Sequence, residues 1–175
     1  MIKIREFKDY NLKITWKLLY LGYKGNDVFK DELDVSDILS YAIEKLEDED
    51  CDELVYDLAS EYESNTDKID NILRKLSEKE DANEKLELRK WRVLIVAKEL
   101  VTKNDNFVNG LLSLGNLWIK LGFPEDSPHV FQGKDNNISP EEYYTEENYQ
   151  NIYEEHLHWL NKEIEFIRYN ESMNK

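Results

Sequence analysis

Seven carboxylates fall between residues 47 and 57: Glu47, Asp48, Glu49, Asp50, Asp52, Glu53 and Asp57. On a helix, Glu49/Glu53 and Glu53/Asp57 are i,i+4 pairs that share a face, and hard divalent cations bind such oxygens. An all-helical, metal-dependent nucleotide hydrolase would use them as Mg²⁺ ligands. It would also need a lysine or arginine close by to hold phosphate, and Lys45 is the single base between residues 31 and 63. The same carboxylates suit a second chemistry, recognition of a basic surface by complementary charge.

The three histidines do not make a metal site. His156 and His158 are two apart, so on one helix they point to nearly opposite sides. The spacing predicts His156 as a hydrogen-bonded core residue and His158 as a surface one. His129 lies near Asp126 and Ser127, but a Ser127/His129 pair is too generic to read as a nucleophile and its base. Cys51 sits among Glu49, Asp50, Asp52 and Glu53, whose charge disfavours a thiolate. No glycine-rich phosphate loop is present, and Gly110 and Gly115 fall within a helical pattern, where they permit close packing. A second acidic stretch mixes carboxylates with aromatic rings: Glu141, Glu142, Tyr143, Tyr144, Glu146, Glu147, Tyr149, Tyr153, Glu154 and Glu155. Tyrosine among carboxylates suits a protein interface, because tyrosine anchors contacts and carboxylates pair with a partner's arginine or lysine.

Charge is polarised along the chain. Residues 31–63 contribute −13 of the net −15, and residues 141–155 hold six glutamates and no base. The lysines and arginines between Lys68 and Lys103 alternate with glutamates at helical spacing, which reads as an ion-paired face and not a phosphate track. We therefore expect no nucleic-acid partner. No apolar run approaches the length of a membrane span, so no membrane partner is expected either. The charged N-terminus lacks the apolar core of a signal peptide, and one cysteine cannot form an internal disulfide. Both features predict a cytoplasmic protein.

The elements that must carry these residues are helical. Thr15 caps a helix over Trp16–Tyr23, and Ser36 caps one with Ile38, Leu39, Ala42, Ile43 and Leu46 inward. A third turns Leu54, Val55, Leu58, Ala59 and Tyr62 inward, and Thr66 caps a fourth. The apolar run Val93–Ala97 has helical flanks and predicts a central helix over about 83–103. It is followed by another over about 107–121, stopped by Gly122 and Pro124. Trp91, Leu94, Ile95, Leu111, Leu114, Trp118 and Leu160 are the expected core. Residues 122–138 form a long loop. Ser139-Pro140-Glu141-Glu142 is a capping-box pattern, Thr145 offers a second start, and the last helix runs to about Tyr169. We expect an all-α fold of about seven helices, as a bundle or stacked helical hairpins in a single domain over residues 1–175. There is room for a minor N-terminal strand pair at Ile2–Ile4 and Leu12–Ile14.

Several stretches resemble a bacterial family of unknown function, number 2247. They are Leu12–Trp16, Val35–Leu46, Glu53–Ala59, Lys90-Trp91 with the apolar run after it, and Gly122–Glu125 with the tyrosine-rich acidic tail. The resemblance spans most of the chain as a pattern of helices, not as a catalytic motif. It carries over no active-site residues. Its relatives look like immunity proteins of polymorphic-toxin systems, which implies a small cytoplasmic binder that covers the active site of a toxin.

Together the residues and the resemblance predict a non-enzymatic immunity protein whose acidic surface binds a cognate protein toxin with a basic surface. The expected contacts are Glu47, Asp48, Glu49, Asp50, Asp52, Glu53 and Asp57, with Glu146, Tyr149 and Glu154 as a second set. No cofactor and no metal are expected, and nothing in the sequence sets an oligomeric state. The alternatives are the metal-dependent hydrolase and an acidic adaptor or DNA-mimic inhibitor.

Overall fold

The structure, a computed structural model, describes residues 2–26, 32–47 and 52–173. Asp48, Glu49, Asp50 and Cys51 lie outside the described residues. Nine helices run through the rest: α1 (Ile4–Asp9), α2 (Trp16–Lys24), α3 (Val35–Lys45), α4 (Glu53–Ala59), α5 (Thr66–Lys79), α6 (Glu84–Val101), α7 (Phe107–Lys120), α8 (Pro140–Tyr143) and α9 (Glu146–Met173). The fold is all-α, and no strand occurs among the described residues.

The expected seven helices and N-terminal strand pair are thereby corrected. Ile2 and Ile4 read as alternation, but Ile4 and Phe7 are both buried at i,i+3 spacing on α1. The Glu6 carboxylate accepts the Lys3 backbone N–H at 2.7 Å and ties down the start of this helix. The would-be partner strand is spoken for elsewhere, since the Lys13 N–H donates to the Glu171 carboxylate at 3.0 Å. The other added helix is α8, a single turn split from α9 by the second start at Thr145, whose hydroxyl accepts the Asn148 N–H at 3.2 Å.

The chain divides into two compact units, Met1–Trp91 with Ile167–Lys175, and Arg92–Phe166. In the first unit α1 packs on α3, α3 on α4, α4 on α5 and α2 on α5. Trp91 is fully buried, with its ring 4.9 Å from Phe7 and its indole N–H donated to the Leu18 carbonyl at 2.9 Å. That ring passes so close to α2 that a Cβ at Gly22 would lie 1.9 Å from it. The glycine is therefore required by the packing. Thr15 caps α2 as its sequence predicts, accepting the Leu18 N–H at 3.0 Å. Ser36 does not cap α3; Asp34 does, accepting the Ser36 N–H at 3.1 Å.

In the second unit Val93, Leu94, Val96 and Ala97 of α6 are buried, as are Leu111, Leu114 and Trp118 of α7 and Leu160 of α9. Ile95, expected in the core, is only half-buried. Gly122, with φ of 76°, ends α7 as a left-handed residue should. The 122–138 loop is built on Asn136. Its side chain accepts the Gly133 N–H at 3.1 Å and donates to the Phe131 carbonyl at 2.8 Å. At its other end Arg92 grips Asp126 with two hydrogen bonds of 2.8 and 2.6 Å and reaches Glu163 at 2.8 Å.

Candidate functional site

The acidic stretch folds into α4 in the first unit, and its N-cap sets its direction. Asp52 accepts the Leu54 N–H at 2.9 Å through one oxygen and pairs with Lys79 at 2.8 Å through the other. The Lys79 hydrogen bond, followed by that of Leu54, holds the Asp52 carboxyl below the usual range. Val55 and Leu58 turn inward. Spacing then forces Glu53, Tyr56 and Asp57, at i, i+3 and i+4, onto the opposite face. All three are exposed, Tyr56 by 53%. Glu53 in the first turn is also favourably placed for the helix dipole.

Among the described residues, the side chains of Glu53, Tyr56 and the exposed Glu47 after α3 have no partner, and the Asp57 carboxylate forms no hydrogen bond or ion pair, though it feels the charge of Lys68. Nearby bases are engaged elsewhere: Lys79 with Asp52, Lys68 with Glu61, and Lys8 with Glu44. Two apolar residues expected inside are outside. Ile43 is 56% exposed because Ile38, Leu39, Tyr41 and Ala42 already fill the inward arc of α3. Tyr62 is 77% exposed because α4 ends at Ala59, so helical periodicity does not extend to it.

The second expected contact set divides. Glu146 and Glu154 are exposed, and Glu154 accepts the Gln150 amide at 2.7 Å. Tyr149, also expected as a contact, is buried within its own unit. Its hydroxyl accepts the Asn104 N–H at 3.3 Å, and its ring fills the space above Gly110, where a Cβ would lie 2.4 Å away. Tyr143 is buried as well and donates to the Val130 carbonyl at 2.8 Å, with burial chiefly pushing its hydroxyl up to about 12. Tyr153 donates to the Leu100 carbonyl at 3.0 Å. These hydroxyls satisfy carbonyls of their own unit.

A family model described as "Uncharacterized protein conserved in bacteria (DUF2247)" matches residues 4–164. The chain belongs to this family. No curated protein and no solved structure matches it. The DUF2247 match covers α4 and its acidic face together with both histidines of the second unit's interior.

Those histidines have structural bonds. His156 is fully buried; its Nδ1–H donates to the Ile152 carbonyl at 2.6 Å, and its Nε2 accepts the Trp118 indole N–H at 2.7 Å. Both nitrogens are thus committed to a neutral ring, whose pKa burial lowers despite the Ile152 bond. His129 is 7% exposed and lies 3.3 Å from the Tyr143 hydroxyl through Nε2. Its Nδ1 is buried without a partner, and burial, helped by His156, lowers its pKa to about 3. Ser127 meets the backbone N–H of His129 and not its ring, so the pair is no nucleophile and base. Among the described residues of this DUF2247 chain, no group of three or more His, Cys, Asp or Glu is placed to hold a metal ion. Among them, too, no helix is long and apolar enough to cross a membrane.

Sequence reasoning missed two features. Tyr56 was legible from its i+3 spacing to Glu53 and its place opposite Val55 and Leu58. The other is a buried charge cluster of Glu87, Lys90 and Glu171, whose third member is eighty-one positions from Lys90 and carried no local signal.

Proposed function

We propose that this DUF2247 protein is a non-enzymatic, cytoplasmic immunity protein that neutralises a cognate bacterial toxin by binding it through the acidic face of α4. The observation that supports this reading is an exposed tyrosine framed by carboxylates, Glu53, Tyr56 and Asp57, whose carboxylates form no ion pair among the described residues. A partner with a basic cleft supplies the missing charge, and Tyr56 supplies an anchor of the kind that dominates interfaces. Charge of one sign concentrated on one face also speeds encounter with such a cleft.

The test is protection of a bacterial host. The product of the neighbouring gene is expressed with wild-type protein or with the Glu53→Lys/Asp57→Lys double variant. Wild type should restore growth and the double variant should not, while both stay folded. A neighbouring product that is harmless alone, or equal protection by both proteins, would sink the proposal.

A further inference from the structure

Within the first unit, two large apolar residues are left in solvent on helices that pack together. Ile43 of α3 and Tyr56 of α4 are each more than half exposed, and α3 packs on α4. Both stand beside the connection between the two helices. Ile43 is third from the end of α3, and Tyr56 is fourth from the start of α4.

The partners of each helix set the direction of these side chains. On α3, Asp37 and Glu44 pair with Lys3 and Lys8, so α1 takes that flank. Leu39, Ile43 and Glu47 succeed one another at i+4 along the other flank, which is left for α4. On α4, Asp57 turns toward α5, since the Lys68 ammonium, held up chiefly by Glu61, also feels the charge of Asp57. Tyr56 lies about 100° around the helix from Asp57, across the buried pair Val55 and Leu58, and so on the flank toward α3. Ile43 and Tyr56 therefore border one groove between α3 and α4. Its rim is acidic: Glu47 stands about one turn beyond Ile43 and Glu53 about one turn before Tyr56. Both carboxylates are exposed, and neither forms an ion pair among the described residues.

A groove between two packed helices admits a third at an interaxial distance of roughly 8–10 Å. An apolar stripe on that third helix covers Ile43 and Tyr56, and bases flanking the stripe meet Glu47 and Glu53. A neutral or acidic segment leaves the rim without counter-charge, and a purely basic one leaves both apolar side chains wet. We infer that the α3/α4 groove seats an amphipathic basic helix of the protein partner, with apolar side chains on Ile43 and Tyr56 and arginine or lysine on Glu47 and Glu53. This rests on the reading of α4 as the docking face. It adds α3 to that face, makes Ile43 a second apolar anchor, and names a helix as the element that docks.

The test uses the full chain and a synthetic helix-forming peptide of about fourteen residues, with leucines at i, i+3, i+4 and i+7 spacing flanked by arginines. One control scrambles the same residues to destroy the stripe, and another replaces each arginine by glutamate. Backbone amide shifts in NMR should saturate at Ile43, Glu44, Glu47, Leu54 and Tyr56, with a Kd of about 10–100 μM at low salt. Ile43→Ser and Tyr56→Ala should each weaken binding at least about tenfold, as loss of an anchor does. Both positions are exposed, so both variants should keep the fold. Glu47→Lys should also weaken binding, and by less at high salt. Equal binding of the scrambled peptide would reduce the effect to bulk charge and overturn the groove. So would wild-type affinity in both Ile43→Ser and Tyr56→Ala, or no saturation below about 1 mM. Ile43 and Glu47 are untouched by the growth-rescue variant, so the two readings fail separately. Peptide failure with rescue still dependent on Glu53 and Asp57 removes the groove and keeps the immunity reading. Peptide binding with no rescue keeps the groove and removes the toxin as its occupant.

Discussion

Two stretches of this chain mix tyrosine with carboxylates, and their rings meet opposite fates. On α4, Tyr56 stays in solvent between Glu53 and Asp57. In the segment from Glu141 to Glu155, Tyr143 and Tyr149 are buried and the six glutamates stay exposed. Acidic company does not decide which way a ring points. Its register against the apolar stripe does. On α4, Val55 and Leu58 define the inner face, and a seven-residue helix has no second one to offer. On α9, Tyr149 leads a stripe that continues through Ile152, His156, Leu160 and Ile164, so its ring is drawn inward.

The largest test of this contrast is stability. Tyr149→Ala should cost about 3–5 kcal/mol, because it removes a buried ring that packs directly on Gly110. Tyr56→Ala should stay within about 0.5 kcal/mol of wild type, as exposed substitutions do. Urea unfolding of the two variants measures both. Equal losses would erase the distinction between the stretches.

Mild acid should separate the units next. All three histidines lie between Arg92 and Phe166, so the first unit has none. Burial holds His129 and His156 below their unfolded value of 6.5. A depressed folded pKa means that stability is complete above pH 6.5 and is lost as pH falls toward the folded value, about 3 for His129. The loss for His129 is about 1.4 kcal/mol per pH unit, or roughly 2–3 kcal/mol between pH 6.5 and 4.5. The geometry agrees, since a proton on His129 Nδ1 would meet no acceptor. Hydrogen exchange at the two pH values should show the second unit loosening before the first. A His129→Gln variant with an unchanged acid slope would remove His129 as the cause.

A smaller effect is expected at the α4 cap. Asp52→Ala removes the side chain that accepts the Leu54 N–H and should cost about 1 kcal/mol. The exposed pair with Lys79 adds little to that. Asp52 therefore differs from Glu53, its neighbour in the same acidic run, whose carboxylate has no such partner. Thermal unfolding of Asp52→Ala beside Glu53→Ala reads the difference directly, and identical midpoints would mean the cap contributes nothing.

Much of this organisation is legible in the sequence where the signal is local. The Thr15 cap, the Ser139 capping box and the Gly122 stop each depend on residues within a few positions. What is not legible depends on distant partners. Ile2–Ile4 has strand-like alternation, and only the Glu6 bond and the burial of Phe7 choose the helix. Ile43 has an inward spacing, and only the packing of α3 on α4 leaves it outside. Lys90 looks like one base in an ion-paired helix, and it is buried because Glu171, eighty-one positions on, meets it. The acidic face itself follows from composition, and its tyrosine was legible from the spacing of Tyr56 to Glu53 opposite Val55 and Leu58.

The finest test separates the two kinds of residue on α4 by kinetics with the toxin partner. Exposed complementary charges act before contact, through the field that brings the molecules together. Glu53→Lys should therefore slow association, and the deficit should shrink at high salt, where the Debye length falls to about 3 Å at 1 M. A ring buried in the complex acts after contact, because its area leaves water only once docking is complete. Tyr56→Ala should leave the association rate and its salt dependence near wild type and speed dissociation at least about tenfold, equivalent to a loss of about 1.4 kcal/mol. Surface-immobilised kinetics at low and high salt measures all four rates. Should Tyr56→Ala slow association as Glu53→Lys does, the ring would be steering and not anchoring. Should neither variant alter any rate, α4 would be a solvated face and the contrast with α9 would concern folding alone.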